Sequence, residues 1–303
     1  MKTVKLGQFT PSVIGMGCMR IASLDVQAAD ALVHRALECG IHFFDHADIY
    51  GGGRSESLFG EVLKKNPGLR EQIILQSKCG IRKGFYDMSR AHILEAVDGS
   101  LSRLGVETLD VLLFHRPDAL CEQEELCEAI RTLKAQGKVK QFGVSNMNPA
   151  QIELLEAWSG ETLCANQIQM SLMHAGTVKS GINVNVDNDA GVMHDGSVLP
   201  FCQRKNITVQ AWSPFQYGMF KGCFIGDAQF PELNAKLNEL AEAYRVTPAA
   251  IAAAWLLRIP GRMQVILGTA NPQHMQEACA AADITLTREE WYALYRACGY
   301  PLP

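Results

Sequence analysis

Four polar side chains stand where apolar runs give out. Asp45 ends "HFFD", Tyr50 follows in "FFDHADIYGGGRSE", Lys78 ends "IILQSK" and His115 ends "LDVLLFH". Each alone has an ordinary explanation. A buried carboxylate is commonly a hydrogen-bonded structural group, a lysine at a strand end snorkels to water, and a histidine after an apolar run packs in the core. Together they place an acid, a phenol, an ammonium and an imidazole at the ends of three successive runs, which packing does not require. A free tyrosine titrates near ~10 and donates its proton poorly at neutral pH, but a nearby ammonium favours the phenolate and brings that value down. Lys78 can play this part, with Asp45 keeping the lysine charged and lowering the cost of burying it. His115 can orient a substrate oxygen and share the proton. The set suits protonation of an oxygen on which negative charge develops, as on a carbonyl that receives hydride. The same lysine could instead form a Schiff base, as in an aldolase, but that needs a depressed pKa and Asp45 works against it.

Residues so placed need a scaffold, and the chain supplies a repetitive one. The strand-like runs "SVIGMGC", "HFFDHA", "QIILQSKCG", "LDVLLFH", "KQFGVSN", "ANQIQMS", "ITVQAWSP" and "MQVILGT" alternate with helix-periodic segments. Helix starts are marked by Asp25, by the region of Ser55, by Ser89, by Asn148-Pro149 and by Pro272, and a further helix covers residues 122–136. Eight strand-helix units in 303 residues predict an α/β fold, a (β/α)8 TIM barrel filling 1–303 as a single domain. An N-terminal β-hairpin precedes it, and an extra C-terminal helix, with Thr287 and Glu290 in capping-box spacing, closes it. No G-x-G-x-x-G follows the first strand, which argues against an open dinucleotide-binding sheet. In a closed barrel, chemistry gathers at the carboxyl ends of the strands, where these four residues lie.

Composition narrows the function further. Charged residues make up 20% and hydrophobic ones 48%, with a net charge of -4, so nothing electrostatic draws the chain to nucleic acid. No run approaches the ~18 apolar residues of a membrane span, and "MKTVKLGQFTPSVIG" lacks a leader's apolar stretch, so no membrane role and a cytoplasmic location are expected. The ten cysteines include no C-x-x-C pair and read as reduced, packed thiols, with no metal site. Residues 173–196, "MHAGTVKSGINVNVDNDAGVMHDG", are too long for a plain connection and predict a functional loop or flap. The "DNDAG" within it lacks the glycine and glutamate spacing of a calcium loop.

With these residues assembled, the sequence resembles the aldo-keto reductases of the bacterial type with a short C-terminal tail. "FFDHADIYGGGRSE", "IILQSKCG", "DVLLFHRPD", "FGVSN", "NQIQMS", "QAWSPF" and "VILGTANPQH" fall in that family's order over nearly the whole chain. The resemblance implies a barrel that binds extended NADP(H) across its carboxyl face. It implies Asp45, Tyr50, Lys78 and His115 as a catalytic tetrad, with Tyr50 the general acid in reduction of an aldehyde or ketone. It implies that Ser145, Asn146 and Gln167 hold the nicotinamide carboxamide and that Trp212 stacks on the ring, where packing alone would make Trp212 barrel lining. Ser213, Pro214, Phe215 and Gly218 would run along the pyrophosphate, the backbone at Gly17, Cys18 and Met19 would lie beside the nicotinamide ribose and the substrate mouth, and Asp45 would be a cofactor contact as well as a member of the tetrad. Gly268, Thr269 and His274, or Gln273, stand where NADPH-preferring members place Lys-Ser and Arg. Thr269 can donate and the helix start beyond it attracts anions, but neither His nor Gln carries guanidinium's permanent fork, so use of NAD(H) is also expected. His46, where a small hydroxyl residue is common, reads as a packing group. The chain stops at "CGYPLP" without the long tail of animal members, so contacts to a small-molecule carbonyl substrate fall to Phe85, Tyr86 and the 173–196 segment. A cofactor-binding regulatory subunit with slow turnover is the other function the resemblance allows.

Overall fold

The computed structural model describes residues 1–184, 189, 192–193 and 196–300. Each run singled out above becomes a strand: β1 (Ile14–Gly17), β2 (Phe43–Asp45), β3 (Ile74–Cys79), β4 (Leu109–Phe114), β5 (Val139–Ser145), β6 (Ala165–Gln169), β7 (Thr208–Trp212) and β8 (Met263–Leu267). All pair in parallel with their sequence neighbours, and β8 returns to β1 through Ile14 opposite Val265, so the barrel closes. Helices α1 (Val26–Glu38), α2 (Arg54–Lys65), α3 (Arg90–Leu104), α4 (Gln123–Ala135), α5 (Pro149–Ser159) and α6 (Gly176–Ile182) lie in its first part. They are followed by α7 (Val198–Lys205), α8 (Pro231–Tyr244), α9 (Pro248–Leu257), α10 (Pro272–Cys279) and α11 (Arg288–Ala297). Among the described residues no helix is long and apolar enough to cross a membrane.

The helix starts are local chemistry. Asp25, Ser89, Thr247 and Asn271 each accept a hydrogen bond from an amide of the following turn, and Asn148 and Thr287 form full capping boxes with Gln151 and Glu290. The extra helix α11 is fixed by stacked indoles: the rings of Trp255 and Trp291 lie 4.7 Å apart, each donating its N–H to the other's backbone carbonyl.

Side chains alternate along each strand, so every second residue faces the barrel interior. The lower interior is apolar, built from Leu6, Phe43, Val111, Leu113, Cys164 and Ile266. Leu6 comes from the N-terminal hairpin, which is held by antiparallel bridges at Thr3–Ser12 and Leu6–Phe9 and plugs the barrel from below. Thr208 of β7 donates to the Lys5 carbonyl to pin the plug. The next inward positions are polar and buried: Asp45, Gln76, Gln167, Gln210 and Gln264. These amides chain across the barrel, from the Ser12 carbonyl to Gln264 at 2.8 Å, to Gln210 at 2.9 Å, to Gln76 at 2.9 Å and to Asp45 at 2.6 Å. Partners of this kind remove the penalty of burying polar groups and fix the orientation of the carboxylate.

Part of the 173–196 segment is not loop. It contains α6, with Val178 buried, and Asn183 donates to the Tyr295 hydroxyl of α11 at 3.4 Å. "DNDAG" lies largely outside the described residues.

Candidate active site

The ends of β2, β3 and β4 bring the four residues together around Lys78, which is fully buried. Its ammonium donates to an Asp45 carboxylate oxygen at 2.8 Å, the His46 carbonyl at 2.8 Å and the Tyr50 hydroxyl at 3.0 Å. All three ammonium protons are thereby used. Burial alone would depress the Lys78 pKa, but Asp45 and Tyr50 outweigh it and the net shift is upward. The lysine stays an ammonium, the opposite of what a Schiff-base nucleophile needs. Tyr50 enters a tight turn whose Gly51, Gly52 and Gly53 have φ of 60°, 64° and 90°, left-handed angles that glycine adopts without strain. A side chain at Gly51 would also come within 2.6 Å of Ala22. The Tyr50 ring meets His115 edge-on, centroids 6.1 Å apart.

The Tyr50 pKa differs from expectation. Burial raises it, and the ammonium of Lys78 only partly offsets that rise. In the free site the phenol is therefore firmly protonated, which is the form an acid must have. His115 moves the other way: burial, Lys78 and Arg116 hold it well below the usual histidine range, so it is neutral, and its Nδ1 is buried with no hydrogen-bond partner among the described residues.

On the helix side of β3, Glu56 of α2 is buried and accepts from Ser77 at 2.5 Å and Arg103 at 2.8 Å, tying α2 to β3 and α3. His46 contacts Ser55 at 3.4 Å, and burial lowers its pKa to about 3, in keeping with a neutral packing group. Asp48 is raised from 3.8 to about 7, by burial first and by Glu56 second. A carboxyl whose folded pKa exceeds its unfolded one stabilises the fold fully below the unfolded value and loses that contribution as pH rises through the folded one. Asp48 therefore costs stability progressively between pH ~4 and ~7. Asp48→Asn, which cannot ionise, is expected to raise the melting temperature more at pH 8 than at pH 5. Equal shifts at the two pH values would show that Asp48 does not titrate in this range.

Two adjoining cavities open on this face. One of about 350 Å³ holds Asp45, Tyr50 and His115, and a second of about 580 Å³ continues past Thr269 and His274; Arg20, Ser213 and Gly268 line both. A larger cavity, about 980 Å³, lies among Arg70, Asp110 and Lys140 and contains none of the four. The tetrad cavity is also lined by Gly17 and Met19, and by Ser145, Asn146, Gln167 and Trp212. Pro214 and Phe215 line the second. Cys18 and Gly218 line neither. Cys18 is buried, its N–H spent on the Asp45 carbonyl at 2.8 Å and its own carbonyl on Ser55 at 2.7 Å, so its backbone has nothing left to offer a ligand. Phe85 and Tyr86 sit on an exposed two-stranded ribbon from which only Ile81 reaches the tetrad cavity, and no described residue of 173–196 lines it.

The polar wall is wired internally. Asn146 donates to Ser145 Oγ at 2.7 Å, Ser145 donates to the Gln167 carbonyl at 2.9 Å, and the Trp212 indole donates to Asn146 Oδ1 at 3.4 Å. The Gln167 amide donates to Asp45 at 3.1 Å and Gln210 at 3.0 Å, and its oxygen has no partner among the described residues. Asn146 and Ser213 hold left-handed backbones, φ 56° and 50°. Such strain in non-glycine residues collects at functional sites.

The model of the Aldo/keto reductase family matches residues 13–297. The chain belongs to the aldo/keto reductase family. Its relatives include the 6-dehydroglucose reductase of Agrobacterium fabrum, 36% identical over 88% of this chain and 86% of that protein. Oxidoreductase YdhF of Escherichia coli is 32% identical over 95% and 94%. An aldo-keto reductase from Klebsiella pneumoniae, solved in complex with NADPH, superposes with a TM-score of 0.78 at 27% identity, covering 100% of this chain and 96% of that one. Against this background, the features of this aldo-keto reductase that sequence reasoning missed are instructive. The glutamines of β3, β7 and β8 had a signal, since Gln76 lies two residues from Lys78 and thus on the same strand face. Arg116, Ile49, Met219 and Phe220 sit on loops and Arg20 on a single short 3-10 turn, Met19–Ser23, so these residues lining the tetrad cavity have no periodicity to mark them.

Proposed function

We propose that the protein reduces aldehydes or ketones to alcohols with a nicotinamide dinucleotide, NADP(H) or NAD(H), and that Tyr50 is the general acid. The observation that carries this reading is the 3.0 Å contact between the Lys78 ammonium and the Tyr50 hydroxyl at the floor of a cavity. The residues present fit a dinucleotide. The adjoining cavities form an elongated groove, their shared wall carries the cation Arg20, and the amide cluster of Asn146 and Gln167 lies at the tetrad end. There the carboxamide would meet Ser145, Asn146 and Gln167, Trp212 would pack on the ring and Arg20 would face the phosphates. Bound in this way, the cofactor supplies hydride.

The chain's own residues do the rest. Tyr50 and neutral His115 direct their protons at the carbonyl oxygen, and the phenol gives its proton up as negative charge develops there. The phenolate left behind is stabilised by Lys78, and Asp45 holds the lysine in place, itself fixed by Gln76 and Gln167. The apolar rim of Ile49, Met219 and Phe220 limits water at the reacting oxygen. The raised Lys78 pKa disfavours an aldolase, and no feature of the site favours a purely regulatory role.

The far cavity has Thr269, His274 and Glu277 and, among the described residues, no lysine or arginine beyond Arg20. With Arg20 facing the pyrophosphate, a 2′-phosphate there meets no second forked cation, so we expect NADPH and NADH to bind within about tenfold of each other, since a charge-assisted hydrogen bond contributes roughly 1.5–3 kcal/mol. Titration of tryptophan fluorescence with each cofactor measures the ratio. Failure of both to bind would sink the reductase reading, and His274→Arg is expected to move the ratio toward NADPH.

A further inference from the structure

The polar groups of the tetrad cavity can be accounted for one by one until a single residue is left over. Tyr50 and His115 face the reacting oxygen; Ser145, Asn146, Gln167 and Trp212 are bonded to one another and stand at the cofactor's end; Ser213 and Arg20 also line the far cavity, on the side given above to the phosphates, and Arg20 donates to the Gly268 carbonyl at 2.5 Å. What remains for a substrate is the apolar surface of Ile49, Ile81, Met219 and Phe220, and one guanidinium, that of Arg116.

Arg116 is half-buried and, among the described residues, has neither a hydrogen bond nor an ion pair. The carboxylate nearest to it in the chain, Asp118, is occupied, its two oxygens accepting from the backbone of Met88 and Leu120 at 2.9 Å each. The one carboxylate that lines the cavity, Asp45, is committed to Lys78. The cavity thus carries a positive excess in a chain whose net charge is -4. A concave, low-dielectric wall concentrates such a field on whatever enters. A guanidinium offers five donors in a planar fork that matches a carboxylate, and an apolar surround strengthens the pairing.

On these grounds, and resting on the reductase reading above, we propose that Arg116 is a specificity-determining residue that selects carbonyl substrates bearing a carboxylate. His115 and Arg116 line the same cavity of about 350 Å³, so a carboxylate held by Arg116 and a carbonyl engaged by His115 fit on one small molecule. Small oxo acids fit this description, and neutral aldehydes of the same length lack the group that Arg116 reads.

The test compares kcat/KM for 4-oxobutanoate, its methyl ester and butanal in the wild type, Arg116→Gln and Arg116→Lys. The wild type is expected to favour the carboxylate over the ester by about tenfold to a hundredfold, the range spanned by a charge-assisted hydrogen bond. Arg116→Gln is expected to collapse that ratio toward one, mainly through KM, and Arg116→Lys to restore part of it. Succinate, which cannot be reduced, is expected to bind the cofactor-loaded wild type at least tenfold more tightly than the Gln variant, and succinamide to bind both alike. A wild-type ratio near one, or a ratio that survives Arg116→Gln, overturns the assignment while leaving the reductase intact. No turnover of any of the three together with no cofactor binding overturns the reductase reading and this inference with it.

Discussion

Tyr50→Phe is expected to lower kcat for carbonyl reduction by at least about 10²–10⁴-fold, the usual contribution of a positioned general acid, while leaving cofactor affinity within a few fold. The substitution removes one oxygen and keeps the ring, so the edge contact with His115 survives and only the proton and the Lys78 hydrogen bond are lost. Because burial keeps the Tyr50 phenol protonated, the wild-type reduction rate should stay flat from neutral pH until the phenol begins to ionise, above the ordinary value of 10. Oxidation of the alcohol, which needs the phenolate, should rise with pH over the same range. Stopped-flow measurement of the first turnover separates the chemical step from product release. A Phe variant with wild-type kcat would remove Tyr50 from the mechanism.

Lys78→Met is expected to be costly twice over. It abolishes reduction, because nothing then stabilises the phenolate, and it leaves Asp45 buried with only amide partners. Breaking one side of a buried ion pair costs about 3–5 kcal/mol, whereas replacing both partners is often close to neutral. The double variant Asp45→Asn/Lys78→Met should therefore recover much of the stability lost by the single one while remaining inactive. Chemical denaturation of the two variants and of Asp45→Asn completes the cycle. Full stability in Lys78→Met would mean that the buried Asp45 does not depend on the ammonium, and the ion pair would lose the role given to it here.

Most of the scaffold was legible because its signals are local. Eight apolar runs, the N-cap residues Asp25, Ser89 and Asn148 and the Thr287–Glu290 box each report on a few neighbouring residues, and each formed as read. The approach of Asp45, Tyr50 and Lys78 was legible once those runs were taken as adjacent parallel strands. The sign of the Tyr50 shift was not, since it depends on whether burial or the Lys78 ammonium prevails, and burial is a property of the whole barrel. Cys18 could not be removed from the ligand face without knowing that Asp45 and Ser55 already occupy its backbone. The lining of the tetrad cavity was hidden for a similar reason: the exposed Phe85 and Tyr86 advertise themselves in the sequence, while Met219 and Phe220 reach the cavity only because the loop after β7 folds back over it.

The seam between β1 and β8 has a consequence for how the chain is made. Ile14 finds its partner at Val265, and the Lys5 carbonyl its hydroxyl at Thr208, so these early segments wait for partners far later in the chain before they can be seated. Until then the free edge of β1 and the apolar floor around Phe43 remain open, a period in which a nascent chain is exposed to misassociation. Pairings this distant in sequence are slow to form, and closure of the ring is accordingly placed at the end of biogenesis. A chain truncated before Met263 lacks the strand that completes the ring and leaves its own β1 edge bare, which makes it a natural substrate for chaperones.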